Sequence, residues 1–188
     1  MLNVVTRYPP LPDRGIRYAS LTRLAFGIEA GILGGFVMMG FLVLGSLFRD
    51  RVWWEMPNIL GSTIYGIRAF RSGPGIITLS GAALHFVITG SIGALFGLAC
   101  GSVRPRKRLI LLGVVAGLLW YYVGQAIFWT RVNPWVTAYS SQPLSLIAHA
   151  IFGACLGWMG PRVEHADPEP NPQFSAPTDV EVVKDAVE

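Results

Sequence analysis

The stretch Gly81-Ala-Ala-Leu-His85-Phe-Val-Ile-Thr89-Gly-Ser-Ile-Gly93-Ala-Leu-Phe-Gly97 decides the fold. It lies within an apolar run from about 76 to 100, long enough to cross a bilayer, which takes roughly 20 residues. Its small or polar members Gly81, His85, Thr89, Gly93 and Gly97 recur every four positions, and Gly101 continues the series. A four-residue step turns a helix by about 400°, so these positions form one slowly drifting stripe. Such stripes let helices in lipid approach closely, where van der Waals contact and interhelical hydrogen bonds drive association. Three other apolar runs carry the same spacing: Gly27, Gly31 and Gly35; Gly113, Gly117, Tyr121 and Gln125; and Ser145, His149, Gly153 and Gly157.

Working outward, the 188-residue chain is 52% hydrophobic and only 14% charged, with 22 glycines and a mean hydropathy of +0.49. That composition excludes an ordinary soluble domain. Spans are expected at about 24–48, 76–100, 109–128 and 144–160, giving an all-α integral membrane protein with a four-helix transmembrane bundle over 21–160. Residues 1–20 form a short N-terminal segment without the apolar core and cleavage site of a removed signal peptide. Residues 161–188 carry seven acidic and two basic side chains and many prolines, which predicts a disordered acidic tail. Cys100 and Cys155 have no CxxC partner and read as small apolar packing residues rather than a disulfide or metal pair.

Charge orients the bundle. Arg7, Arg14, Arg17, Arg23, Arg104, Arg106, Lys107, Arg108, Arg162 and Lys184 fall on one side, and Arg49, Arg51, Arg68, Arg71 and Arg131 on the other. The positive-inside bias places both termini in the cytoplasm. The first outer loop is unusually basic for its side.

The halves look like tandem copies of one helical hairpin. Phe48-Arg-Asp-Arg51-Val52 recurs eighty positions later as Phe128-Trp-Thr-Arg131-Val132, each at a helix exit. A connector rich in Trp, Tyr, Pro and Asn follows each exit, with Trp53, Trp54, Pro57, Asn58 and Tyr65 in the first and Asn133, Pro134, Trp135 and Tyr139 in the second. Both connectors are expected at headgroup level, and Arg49 to Glu55 reads as an interfacial anchor. Each connector leads into a span with one histidine, and His85 precedes Gly93 by the eight residues that separate His149 from Gly157.

Three readings of the histidines compete. One is structural, a neutral imidazole hydrogen-bonded across a helix interface. Another is axial ligation of a b-type haem by His85 and His149 at matched depth; otherwise no cofactor or metal is expected. The third is a proton or ion path through Glu29, His85, His149, Tyr121 and Gln125, since ionisable groups within spans mark such routes. HExxH, GxSxG and P-loop motifs and paired aspartates are absent from the sequence, so a non-enzymatic role is expected. The composition points to an accessory or scaffold subunit that packs in the lipid bilayer against itself or a larger membrane complex, with no nucleic-acid partner.

A Gly-rich first span, the connector Val52-Trp-Trp-Glu-Met-Pro-Asn-Ile-Leu-Gly61 and the second-span sequence Leu84-His85-Phe86 followed by Gly90-Ser91 resemble a group of small bacterial inner-membrane proteins. The resemblance covers about residues 24–160. It implies a four-span bundle in a bacterial inner membrane and carries no activity.

Overall fold

The computed structural model describes residues 14–101, 103 and 105–158, with side chains from residue 20 onward. The expected acidic tail, and Arg7, Arg104, Arg162 and Lys184 with it, lie outside the described residues, as do the side chains of Arg14 and Arg17. The described residues are mostly helical and contain no strand. They form α1 (Arg14–Leu47), α2 (Glu55–Tyr65), a 3₁₀ turn (Gly66–Arg71), α3 (Ile76–Cys100), α4 (Arg106–Val123), a π turn (Gly124–Phe128), α5 (Trp129–Val132), α6 (Pro134–Tyr139) and α7 (Gln142–Trp158). Three helical runs are long and apolar enough to cross a membrane: Ser20–Leu47, Ile76–Cys100 and Arg106–Val132. The third of these runs from α4 through the π turn into α5. The fourth expected span, α7, has 17 residues.

Prolines stand where helices tolerate them. Pro57 lies in the first turn of α2, Pro143 in the first turn of α7 and Pro134 at the first position of α6, where a missing N–H costs nothing. Asn133 caps α6 by accepting from the Trp135 N–H at 3.2 Å, which satisfies a donor that the first turn leaves open.

α1 packs mainly on α3 and, on another face, on α7; α7 in turn packs on α4, and α3 barely touches α4. The two most extensive contacts run through glycine. Gly27 and Gly31 meet Gly93 and Gly97, and Gly113 and Gly117 meet Gly153 and Gly157. A Cβ on Gly93 would lie 2.6 Å from the Gly31 Cα, and one on Gly113 would lie 2.8 Å from the Gly157 N. Backbone therefore lies against backbone, and no side chain fits between. Where α1 meets α7 the contact is different. Phe152, Leu156 and Ala148 are almost fully enclosed by Ala30, Met38 and Leu42, and Phe152 packs against Gly34.

Beyond the stretch expected as an interfacial anchor, whose Arg49, Arg51, Val52 and Trp53 are exposed, the first connector turns into the protein. After a turn at Phe48–Asp50 and the Arg51–Glu55 ion pair, α2 turns inward. Its residues Pro57, Asn58, Ile59, Leu60, Gly61 and Ser62 are buried against α3, where Gly81 admits the Pro57 and Gly61 backbone. Gly81 thus serves α2 and not another long helix. Burial is tolerated because the polar groups are satisfied. Asn58 donates to the Ala69 and Ser72 carbonyls at 3.1 and 3.0 Å and accepts from the Thr78 hydroxyl at 2.7 Å. Asn133 donates to Ser62 Oγ and Thr63 Oγ1 at 2.7 and 3.0 Å, tying the second connector to α2. At the opposite end of the molecule Arg106 donates to the Trp158 carbonyl and stacks 3.9 Å over its ring, so a cation sits at the negative end of the α7 dipole.

Gly153→Leu is expected to destabilise the fold by about 1–3 kcal/mol or more through overpacking. Gly40→Leu, where nothing lies within 4 Å of an added Cβ, is expected to stay within about 0.5 kcal/mol of the parent. Denaturant unfolding of the detergent-solubilised protein measures both.

Candidate functional site

Stripe geometry carries two histidines inward from different helices, and both line one internal cavity. His85 and Thr89 enter from α3, Ser145 and His149 from α7, and Gln125 from the π turn, with Met38, Phe152, Trp120 and Trp129 among the apolar walls. The cavity volume is about 60 Å³, room for a few waters at roughly 10–15 Å³ each. A π turn adds a residue to the helical repeat and re-aims the side chains around it, which is why such turns recur at functional sites.

Each imidazole is oriented by a backbone carbonyl. His85 Nε2 lies 3.0 Å from the Gly35 oxygen of α1, and because a carbonyl can only accept, Nε2 carries the proton and donates. His85 is 6% exposed, and this bond fastens α3 to α1. Gly35 has no side chain to stand between them; a Cβ there would collide with the Thr89 side chain. His149 Nδ1 donates to the Ser145 carbonyl of its own helix at 2.7 Å, and its ring rests against Tyr121 with centroids 5.4 Å apart. In the neutral rings the second nitrogens, Nδ1 of His85 and Nε2 of His149, are therefore acceptors.

The other expected members separate. Tyr121 directs its hydroxyl to Gln142 Oε1 at 2.8 Å and holds the start of α7. Gln125 reaches the cavity with its Oε1 buried and without a hydrogen-bond partner among the described residues, and Ser140 Oγ at the same cavity is in the same condition. Glu29 stands on an exposed face of α1 and is not part of the lining. The expected route through Glu29, His85 and His149 is not brought together.

The cavity does not suit a haem. At about 60 Å³ it is several-fold smaller than cofactor pockets of ~300–1,000 Å³, and a macrocycle between the two rings would require α3 and α7 to part. No group of three or more His, Cys, Asp or Glu that could hold a metal occurs among the described residues. Cys100 and Cys155 are free.

Sequence reading missed Ser140, Trp120 and Trp129 as members of the lining. Ser140 reaches it from the connector end and the tryptophans from an interrupted helix, so no single periodicity marks them. Asn58 was visible as a polar residue in a connector, but its three partners come from residues 69, 72 and 78.

His85→Leu is expected to destabilise by about 0.6–1.7 kcal/mol, the range of intramembrane hydrogen bonds. His85→Gln, whose amide can still donate to Gly35, should lose less than half as much. Equal losses in the two variants would assign the effect to ring packing against Phe86 instead of the hydrogen bond.

Compared with protein-family models, curated proteins and solved structures, the chain matches none.

Proposed function

We propose that the chain is a non-enzymatic four-span protein of a bacterial inner membrane, built as two tandem hairpins with both termini in the cytoplasm, and that it serves as an accessory subunit of a membrane assembly. α7 completes the four spans in this reading, since 17 residues reach the lower limit for a crossing. The two glycine contacts support the hairpins: α1 closes on α3 and α4 on α7 through the same residue type at the same spacing. The inward polar groups are largely spent on fastening, as the His85 bond to Gly35 illustrates.

The observation that carries the partner is the open flank of the α4 run. Only 22% of its most apolar window is buried, against 44% for Ser20–Leu47 and 28% for Ile76–Cys100. Leu111, Val115, Leu119 and Ile127 all face outward. Since its glycine face is already occupied by α7, this flank is where a second polypeptide or a second copy would pack. A photo-crosslinking residue at Val115 or Leu119, activated in native membranes, is expected to yield a discrete polypeptide adduct. Adducts to lipid alone at both positions would sink the proposal.

A second reading, proton handling, is favoured by one observation: the partnerless Gln125 Oε1 and Ser140 Oγ share a cavity with both histidines. No carboxylate lines that cavity, so a metal cation there would have no charged ligand to offset its desolvation. Waters bridging two imidazoles need only transient protonation. On this reading, liposomes holding the protein dissipate a pH gradient about ten-fold faster than a His85→Gln, His149→Asn double variant, whose amides keep both carbonyl hydrogen bonds while removing the proton-accepting nitrogens. Equal rates would exclude it.

A further inference from the structure

We infer that the outward groove between α1, α2 and α3 binds one anionic phospholipid, with an acyl chain in the groove and the phosphate among the arginines at its mouth. The groove encloses about 640 Å³ and is lined by Phe36, Gly40, Trp53, Pro74, Leu79 and Ala82 among others. That volume is within the range of ligand pockets. It exists because small residues stand at its floor: nothing lies within 4 Å of a Cβ added at Gly40 or Gly75. The walls face outward, as the exposures of Phe36 and Leu79, 58% and 67%, require. In a membrane-spanning chain that face meets acyl chains. At Phe86 the groove meets a second one, of about 330 Å³, along Ile28, Ile32 and Gly90. The two follow α1 from Val43 back to Ile28, about 22 Å of helix. The first groove alone runs along α1 from Val43 to Phe36, about 10 Å of helix, and so fits within one leaflet, half of a core about 30 Å thick.

Charge selects the occupant. The mouth of the groove is built by two segments, the turn that ends in Trp53 and the loop that ends in Pro74 and Gly75. Arg49 and Arg51 lie within four residues of Trp53, and Arg71 lies three residues before Pro74, with Arg68 one turn earlier; Arg51 borders the neighbouring groove with Asp50 and Glu55. All four are exposed. The carboxylates beside them are Asp50 and Glu55, and Glu55 is already paired with Arg51, which leaves an excess of two positive charges. Guanidinium groups match phosphate oxygens in a bidentate fork, and Trp53 has the amphipathic ring of the headgroup level. A basic cluster on this loop runs against the charge bias that orients the protein; an anionic headgroup gives it a physical reason. A partner helix in the groove would make no use of the arginines that flank its two mouth segments in sequence.

The test is lipid retention by the full chain, measured by native mass spectrometry after exchange into detergent with phosphatidylglycerol or phosphatidylcholine. Phosphatidylglycerol should be retained preferentially, and Arg68→Gln and Arg71→Gln should each lower that preference about five-fold, the value of one surface arginine near an anionic lipid. Gly40→Leu, which fills the groove floor, should lower retention of either lipid while unfolding as the parent does. Equal retention of the two lipids by the parent, or unchanged retention in a folded Gly40→Leu variant, would overturn the proposal. So would a photo-crosslinking residue at position 40 that captures a polypeptide, or glycerol phosphate that displaces the lipid at the affinity of the lipid itself.

Discussion

Close approach of backbones at the two glycine contacts is the constraint on which the rest depends. In lipid the tails are as apolar as leucine, so helices gain little from hiding apolar side chains from one another and must gain from contact density and hydrogen bonds. Gly27, Gly31, Gly93 and Gly97 bring α1 onto α3, and Gly113, Gly117, Gly153 and Gly157 bring α4 onto α7. Only at that separation does the His85 ring reach the Gly35 carbonyl. The joint between the pairs is made by large side chains instead, with Phe152 and Leu156 of α7 set against Met38 and Leu42 of α1. Two kinds of packing thus do two tasks, one closing each helix pair and the other joining the pairs.

Buried polar groups are arranged around this frame in two states. The two connector asparagines are saturated: Asn58 uses both its amide and its carbonyl, and Asn133 donates its amide across to α2 while its carbonyl accepts from the Trp135 N–H. Saturation is what allows α2 to be taken into the body of the protein, because an unpaired amide in an apolar setting costs far more than a paired one gains. The central cavity is unsaturated. Gln125 and Ser140 bring polar atoms that meet no partner among the described residues, beside two imidazoles oriented by carbonyls. Thr137 Oγ1 in the second connector is likewise buried without a partner among the described residues.

The legible part of the site was the part with local periodicity. Stripe spacing alone put His85 and His149 on inward faces, because residues four apart on a helix share a face whatever the helix packs against. It also suggested the same inward direction for Tyr121 and Gln125. It could not separate them, because a π turn intervenes between the two and Tyr121 finds its partner in residue 142. Glu29 was grouped with the histidines because it is the acidic residue within an expected span, yet depth along a helix says nothing of azimuth. Its place on an exposed face of α1 follows from which side α3 and α7 occupy. The connectors were readable as aromatic and Pro-rich segments but not as a buried helix, since burial there depends on hydrogen bonds between residues 11 to 71 positions apart.

Composition and spacing by themselves determined that the chain is helical, that it carries membrane-length apolar runs, and which faces are small enough for close packing. These are properties of one helix at a time, set by the solvent and by the 3.6-residue turn. Which glycine meets which, that Gly81 receives α2, that two histidines share one small cavity, and that an apolar groove opens between α1, α2 and α3 were decided only by the tertiary structure. Each depends on the relative rotation of helices about their axes, and that rotation is set by all the contacts together.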